Sequence, residues 1–493
     1  MKKLPWILGF IIIFNQIVFA TPPEFSGGIN NEYEYKEVVF LSGEPIVFKG
    51  EFKETVKEDE EEKKVTYRFT LEPEDSTIDG RLTRSVTIVT TYTPKTDKGQ
   101  TIADTVVDKY TETIRIEDDT YRLEDIQFSQ SNIIDNRPAS DFYSGNIKAR
   151  KYYSINNDEG TVIIDITGGD VGYENFWGST ETQKIDYIYK VDRSEDGEDN
   201  NLSWEGTVQV QVSDSTTKTL KYSDNEANFS SFNGGYTRIS NREMVSTYSY
   251  NLPTKTDEGL DTSIRNKDSI SLKLSMNPNI ERLIVPKFRD TVGHWAQSDI
   301  EKLYSLDVFE GSETFFIPDT YMTRMDFVKA VVKACNIRVE EEETTNRTSR
   351  RSKEEVEEII FVDVASSDPD FQYVKDAYNK NIITGDADYK FRPDGKLTRA
   401  EAITILIRAL GFENKAPAPG YQTSYDDDEE IPNWARDAIY MATEIGIVGG
   451  DEYNRINANK IMTRAEASAM IVRFLNFLEK DLQKDYRENI IYY

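Results

Sequence analysis

Three short runs in the last third of the chain put a cation where helix electrostatics disfavour one. They are Met322-Thr323-Arg324-Met325-Asp326, Leu397-Thr398-Arg399-Ala400-Glu401 and Met462-Thr463-Arg464-Ala465-Glu466. Each reads Thr-Arg-x-Asp/Glu ahead of an apolar, helix-forming stretch. Thr followed three residues later by an acid is a capping box: the hydroxyl accepts from a first-turn N–H and the carboxylate reaches back to the N-cap N–H. Helix-capping roles are therefore expected of Thr323, Asp326, Thr398, Glu401, Thr463 and Glu466. The arginine faces the positive end of the helix dipole. Its threefold recurrence implies a task for the charge, either a salt bridge to a nearby carboxylate or the grip of an anion beside a helix N-terminus.

Each box closes a longer repeat. Unit one runs Phe288-Arg289-Asp290, His294-Trp295-Ala296, Ile300, Gly311, Pro318-Asp319, then the box. Unit two runs Phe361-Val362-Asp363, Val374, Ala377-Tyr378, Gly385, Phe391-Arg392-Pro393-Asp394, then the box. Unit three runs Tyr425-Asp426-Asp427, Asn433-Trp434-Ala435, Ile439, Gly450, then the box. Gly and Arg are separated by 13, 14 and 14 residues, and Trp and Gly by 16 in units one and three. Each unit reads as helix, loop, helix. Trp295, Ile300, Leu303 and Tyr304 share one helical face, and Gly311 is expected to end that helix as a C-cap glycine. The second helices bury Phe327, Val328, Val331, Val332 and Cys335 in unit one and Ala467, Met470, Ile471, Phe474 and Leu475 in unit three. One helix pair cannot bury its apolar faces alone, whereas three packed together can.

The pattern Phe-x-Asp, Trp-Ala, Gly, Phe-x-Pro-Asp, Thr-Arg-Ala-Glu resembles the S-layer homology (SLH) module, normally found in threes. The resemblance covers about residues 286–480. It implies an all-α, three-pronged bundle with pseudo-threefold symmetry that binds secondary cell-wall polysaccharide, often pyruvylated, and holds surface proteins on bacterial walls without a covalent bond. By match to the motif it implies ligand contacts from Asp290, Trp295, Gly311 and Arg324, from Asp363, Gly385 and Arg399, and from Asp427, Trp434, Gly450 and Arg464. Unit two departs from the pattern with Pro369 where the Trp belongs, Phe371 and Tyr373 being the nearby aromatics. Unit one departs with Met325-Asp326 in its box, and with Asp307 where unit three has Gly446. Arg464, with Trp434 in its own unit, is expected to matter most.

Lys2 and Lys3 precede an apolar run from Leu4 to Phe19, and Val18-Phe19-Ala20 suits signal cleavage, so residues 1–20 read as a secretory signal peptide. No membrane span is expected after cleavage. A net charge of −29 disfavours nucleic acid, because a phosphate-binding face needs clustered Lys and Arg. The single Cys335 excludes an intramolecular disulfide and shares its register with Leu410 and Leu475, which makes it a core residue.

Residues 21–285 differ in kind. Val65, Tyr67, Phe69 and Leu71 alternate with Thr66, Arg68 and Thr70; Val208, Val210 and Val212 alternate with Gln209 and Gln211; Ile114 and Ile116 approach, and Tyr121 and Leu123 leave, a turn at Asp118-Asp119. Such alternation means antiparallel strands with one wet face. The fold class is thus a multidomain α+β chain: a large antiparallel all-β region, as one domain or two with seams near residues 131–138 and 192–201, followed by the helical repeats. The expected division is 1–20 signal peptide, 21–285 β-region, 286–337 repeat one, 338–358 charged linker, 359–412 repeat two, 413–423 linker, 424–480 repeat three and 481–493 tail.

The only His in the chain is His294, inside repeat one. The β-region therefore has neither His nor Cys, which excludes His-based triads, His-ligated zinc and thiol nucleophiles there. A carboxylate pair would suffice for a glycosidase, but acids abound and mark no site. No enzyme and no cofactor is expected. Asp386-x-Asp388 and Asp426-Asp427-Asp428 could recruit calcium but lack the EF-hand spacing. The expected function is a wall-anchored, secreted surface protein displaying a β-domain, with other surface-layer subunits as further candidate partners. The alternative is a wall-attached glycan hydrolase or carbohydrate-binding protein using carboxylates.

Overall fold

Period-two alternation carried over strands of 12 to 23 residues builds a sheet too long and too twisted to stay flat. The computed structural model describes residues 34–59, 61–194, 201–223, 235–256, 259–285, 288–310, 314–337, 360–386 and 388–482. The leader read over residues 1–20, Gly311, the linker 338–358 and residues 483–493 of the tail lie outside the described residues. Thirteen strands run in order: β1 (Tyr35–Val39), β2 (Ile46–Glu58), β3 (Glu62–Pro73), β4 (Gly80–Lys95), β5 (Gln100–Ile116), β6 (Asp119–Asp135), β7 (Asp141–Ile155), β8 (Gly160–Asn175), β9 (Gly178–Ser194), β10 (Asn201–Ser223), β11 (Gly235–Thr256), β12 (Gly259–Ser275) and β13 (Asn279–Ile284). From β1 to β12 each strand pairs antiparallel with the next, and β13 returns to pair β11 on the length that β12 leaves uncovered. The ladder is continuous through β6 and β7, so the β-region is one sheet.

The sheet is rolled. A single apolar cluster draws Phe48, Leu71, Val86, Ile116, Tyr153, Val162, Tyr187, Val208, Tyr248 and Leu274 from strands spanning β2 to β12. Phe40, just after β1, meets the rings of Tyr189, Tyr248 and Tyr250 at 6.1, 6.0 and 5.9 Å, which brings the two ends of the meander together. Trp204 is buried in this core and Trp177 at the interface described below, so neither offers an exposed sugar-stacking face.

Part of the interior is polar. Arg84 donates to both oxygens of Glu37 at 2.7 Å and also to Glu112, while Tyr153 donates to Glu112 and Lys151 donates to Tyr110 at 3.0 Å. Burial alone would raise the carboxyl of Glu112, but the charges of Arg84 and Lys151 and the hydrogen bonds from Tyr153 and Arg84 outweigh it and hold it at about 2. Elsewhere in the interior, burial and then the neighbouring Asp141 push Glu174 up to about 8.

Six helices follow in pairs: α1 (Gln297–Ser305) and α2 (Arg324–Ala334), α3 (Phe371–Asn379) and α4 (Arg399–Leu410), α5 (Arg436–Glu444) and α6 (Arg464–Asn476). They close one core in which Val328, Val331, Val374, Leu406, Ile439, Ile471 and Phe474 are fully buried. Cys335 sits in this core beside Leu410 and Leu475, and burial pushes its thiol far up. The sequence expectation for the first helices needs two corrections. Trp295 is 62% exposed and lies ahead of α1 rather than on its buried face. The helix ends at Ser305, and the left-handed residue that reverses the chain is Asp307 at φ 55°, matched by Asn381 at 59° and Gly446 at 75°. Gly311 is therefore too late in the chain to cap it.

The two parts lock through the C-terminal carbonyls of the second helices, which intrahelical bonding leaves unpaired. The Trp177 indole donates to Ala334 O of α2 at 3.2 Å, Ala139 N to Ala409 O of α4 at 2.9 Å, and Asn175 Nδ2 to Leu478 O beyond α6 at 3.4 Å. Trp177, at the tip of the β8–β9 hairpin, is 2% exposed, and the Phe142 ring meets Phe412 at 6.3 Å. Gly411 ends α4 at φ 68°, and a Cβ there would sit 2.4 Å from the Arg137 side chain, so both backbone conformation and packing require glycine.

Trp177→Ala should lower stability by about 3–5 kcal/mol through the cavity and the lost cap, read as a fall in the thermal midpoint. The two perturbed acids bound a pH optimum. Glu112, depressed from 4.5 to about 2, contributes stability that is complete above pH 4.5 and lost as pH falls toward 2, on the order of 3 kcal/mol. Glu174, raised from 4.5 to about 8, contributes stability that is complete below pH 4.5 and lost as pH rises through 8. Glu174→Gln should therefore flatten the fall in thermal midpoint between pH 5 and 8. A wild-type midpoint constant over that range would contradict the assignment.

Candidate functional site

The three boxes form as capped helix starts. Thr323, Thr398 and Thr463 hydroxyls accept from the N–H of Asp326, Glu401 and Glu466 at 3.1, 3.3 and 3.2 Å. Glu401 and Glu466 accept in return from the N-cap N–H of Thr398 and Thr463, at 2.8 and 3.0 Å. In unit one only the threonine half of the box is made, since Asp326 is one methylene shorter.

The next two first-turn donors are also engaged, and by a different unit. Arg324 N and Met325 N donate to Gly395 O and Pro393 O of unit two; Arg399 N and Ala400 N donate to Lys460 O and Ala458 O of unit three; Arg464 N and Ala465 N donate to Thr320 O and Pro318 O of unit one. The order is cyclic. It removes the backbone N–H groups as an anion cradle and leaves the arginine side chains as the charged donors at each junction.

The early aspartates are built into the same loops. Asp290 accepts from Phe316 N and Ile317 N at 2.9 and 2.7 Å, Asp363 from Phe391 N and Arg392 N at 2.8 and 2.7 Å, and Asp427 from Ile456 N and Asn457 N at 2.9 and 2.8 Å. The second residue of each pair is left-handed: Ile317, Arg392 and Asn457 have φ 56°, 60° and 53°. Each carboxylate thus staples a strained turn. Gly385 lies in such a loop, where a Cβ would meet the Phe361 ring at 2.8 Å, and one on Gly450 would meet the Asn454 backbone at 3.0 Å. The carboxylates considered for calcium serve turns as well: Asp386 Oδ1 accepts from Asp388 N and Lys390 N, and Asp428 Oδ1 from Thr423 and Arg436.

Because the units interlock cyclically, each arginine serves the groove of the next unit. Arg464 of unit three lies over the Phe316 ring of unit one at 4.4 Å; burial would raise the Asp290 carboxyl, but the N–H groups of Phe316 and Ile317, and after them the charge of Arg464, hold it below its usual range. Unit one presents Trp295 there, 5.5 Å from the His294 ring, whose Nδ1 accepts from Ala296 N. Arg399 of unit two reaches Gly449 O of unit three at 3.3 Å, and unit three presents Trp434, 52% exposed. Arg324 of unit one enters unit two, donating to Phe391 O at 2.9 Å and to Glu401 at 2.6 Å over the Phe391 ring. Arg464 thus serves unit one, which carries the exposed Trp295, and Arg399 serves unit three, which carries the exposed Trp434, a grouping that the linear repeat does not show. In unit two, Tyr373 and Phe371 pack against the core and do not replace the missing Trp.

The arginines differ in satisfaction. The Nε atoms of Arg399 and Arg464 are buried without a hydrogen-bond partner, and among the described residues neither side chain has an ion pair. Burial, aided by the charge of Arg473, lowers the pKa of Arg399. Two half-buried guanidinium groups without an ion pair, each serving a unit that carries an exposed Trp ring, can take an anion bidentately and a sugar face by stacking.

The described residues of the β-region line a polar cavity of about 180 Å³, formed by Tyr143, Glu174, Glu181, Asp214, Lys218 and Arg242 among others. Asp214 is held by Arg242 at 2.6 Å, and Glu181 accepts from Tyr143 at 2.9 Å. Burial pushes the carboxyl of Glu181 up, as it does that of Glu174. The volume of the cavity is below that of ordinary ligand pockets.

Asp427→Ala should cost about 3 kcal/mol by releasing two charge-assisted bonds and a left-handed turn, whereas Asp426→Ala should cost far less; thermal midpoints of the two variants check this.

A scan against family models matches the S-layer homology domain at residues 287–328, 360–403 and 424–468. Over 190 residues, 38% of this chain and 16% of the relative, the sequence is 32% identical to Exoglucanase XynX of Acetivibrio thermocellus. It is 33% identical over 126 residues to a Cell surface protein of Thermoanaerobacter kivui, covering 26% of this chain and 16% of the relative. It is 31% identical over 90 residues to the Cellulosome-anchoring protein of the same Acetivibrio species, covering 18% and 20%. The chain spans a fifth or less of the length of these relatives, and the shared stretch is the helical region. The cyclic bundle at the end of this chain is thus made of three S-layer homology domains, each lending its box arginine to the next.

Proposed function

We propose that this chain is a secreted bacterial surface protein, held non-covalently on the cell wall by its helical bundle while the rolled β-sheet is displayed outward. The ligand of the bundle is an anionic secondary wall polysaccharide. The observation that carries this reading is the pair of buried, unpartnered Nε atoms of Arg399 and Arg464, each serving a unit that carries an exposed Trp, Trp434 and Trp295 respectively. Arg399, Arg464 and the two Trp residues are assigned to direct contact. Asp290, Asp363, Asp427, Gly385 and Gly450 are assigned to shaping the loops that present them. The relatives support attachment as the shared task. An exoglucanase, a surface protein and an anchoring protein differ in their printed roles, and what they have in common with this chain is this stretch.

The β-region is read as non-catalytic. It has no His or Cys, and its enclosed polar cavity is smaller than ordinary ligand pockets. Its outward face, with Arg68, Thr70 and Glu72 on β3 and Gln209 and Gln211 on β10, suits water and not lipid. No helix among the described residues is long and apolar enough to cross a membrane.

The test uses the mature chain and native sacculi. The protein should sediment with intact sacculi and stay in solution with sacculi stripped of their non-peptidoglycan polymer. Arg399→Ala with Arg464→Ala should weaken binding at least tenfold while the circular dichroism spectrum is kept. Equal pelleting with stripped sacculi would remove the wall polymer as ligand.

A further inference from the structure

Each groove arginine has the acid of the next unit's box in register as a candidate ion-pair partner; Asp290, which also feels the charge of Arg464, already accepts from two backbone N–H groups. The three junctions treat the box acid differently. At the junction of units one and two, Glu401 takes Thr398 N on one oxygen and Arg324 on the other, at 2.8 and 2.6 Å. At the junction of units two and three, Glu466 takes Thr463 N on one oxygen and Lys460 on the other, at 3.0 and 2.7 Å, leaving Arg399 with the Gly449 carbonyl. At the junction of units three and one, the acid in register is Asp326, shorter by a methylene and exposed, and no ion pair joins it to Arg464 among the described residues.

The cause lies four residues before each arginine, where the units carry Thr320, Gly395 and Lys460. Lys460 competes for Glu466 and so frees Arg399. Gly395 supplies no competitor, and its bare Cα gives Arg324 room to lie flat: a Cβ there would come within 3.3 Å of Arg324 Cδ. The same groove has Pro369 in place of the Trp. The pattern rests on charge competition, on reach and on space, and it divides the three junctions two to one.

We infer that the chain takes two anionic glycan segments and not three: one at Arg464 with Trp295, one at Arg399 with Trp434, with Glu401 and Gly395 holding the third groove shut. Unit three contributes to both open grooves, so it is the centre of attachment. This rests on the wall-polymer reading above.

Calorimetric titration of the mature full-length chain decides it, with short oligosaccharides cut from the non-peptidoglycan polymer of native sacculi as the probe. Two sites per chain are expected. Arg399→Ala and Arg464→Ala should each leave one site, and Arg324→Ala should leave two. Trp434→Ala and Trp295→Ala, at exposed side chains whose loss the fold tolerates, should likewise each leave one, so the result does not depend on the arginine variants folding. Glu401→Gln keeps the cap, since glutamine also completes a capping box, and removes the charge that holds Arg324; it should add a third, weaker site. Three sites in the wild-type protein, loss of a site in folded Arg324→Ala, or an unchanged count in Glu401→Gln would overturn this inference and leave the wall reading standing. No binding by the wild-type chain would overturn both.

Discussion

The structure of the helical region depends on a closed ring of backbone hydrogen bonds at its centre. Met322 N donates to Met462 O, Met462 N to Leu397 O, and Leu397 N to Met322 O, at 3.0, 2.9 and 2.9 Å. These are the residues just ahead of the three N-caps. The ring places each helix start against the loop of the following unit, and that placement occupies the first-turn donors with carbonyls. It also carries each arginine across a junction. No unit can be complete without its neighbour, which is why a repeat too small to bury its own faces becomes a stable body in threes.

Electrostatics at the junctions follow from this geometry and a few side chains. A guanidinium buried next to a helix N-terminus is costly unless something negative meets it. Unit two answers internally with Glu401. Units three and one leave the demand open, through Lys460 in one case and the short Asp326 in the other. Both of these units carry an exposed Trp ring.

The opposite end of the bundle is finished by the β-region. Trp177, Ala139 and Asn175 each supply a donor to one of the three units' unpaired carbonyls, so the rolled sheet is a structural cap and not a loosely tethered passenger. The β-region is thereby held in fixed orientation to the grooves of the bundle. Its own interior mixes apolar packing with a buried Arg84–Glu37–Glu112 cluster, where paired charges replace part of the hydrophobic filling.

Local chemistry was legible in the residues. The capping pairs around Thr398 and Thr463, the alternating strands such as Val208 to Val212, the core register shared by Cys335, Leu410 and Leu475, and the three-unit organisation are all set by interactions within a few positions or by a repeated period. The missing Trp at Pro369 and the short Asp326 were visible too, because a substitution inside a repeat stands against its copies. What the linear order could not decide is partnership across the units. Arg464 meets the Phe316 side chain because the ring closes from unit three back to unit one, a contact between residues more than 140 positions apart. Nor could it reveal that the motif aspartates are spent on left-handed turns, that the first-turn N–H groups are already taken, or that Trp177 leaves the β-sheet to cap a helix. Each of these is a satisfaction of a backbone group by a distant one, and only the closed tertiary structure determines which distant group is near.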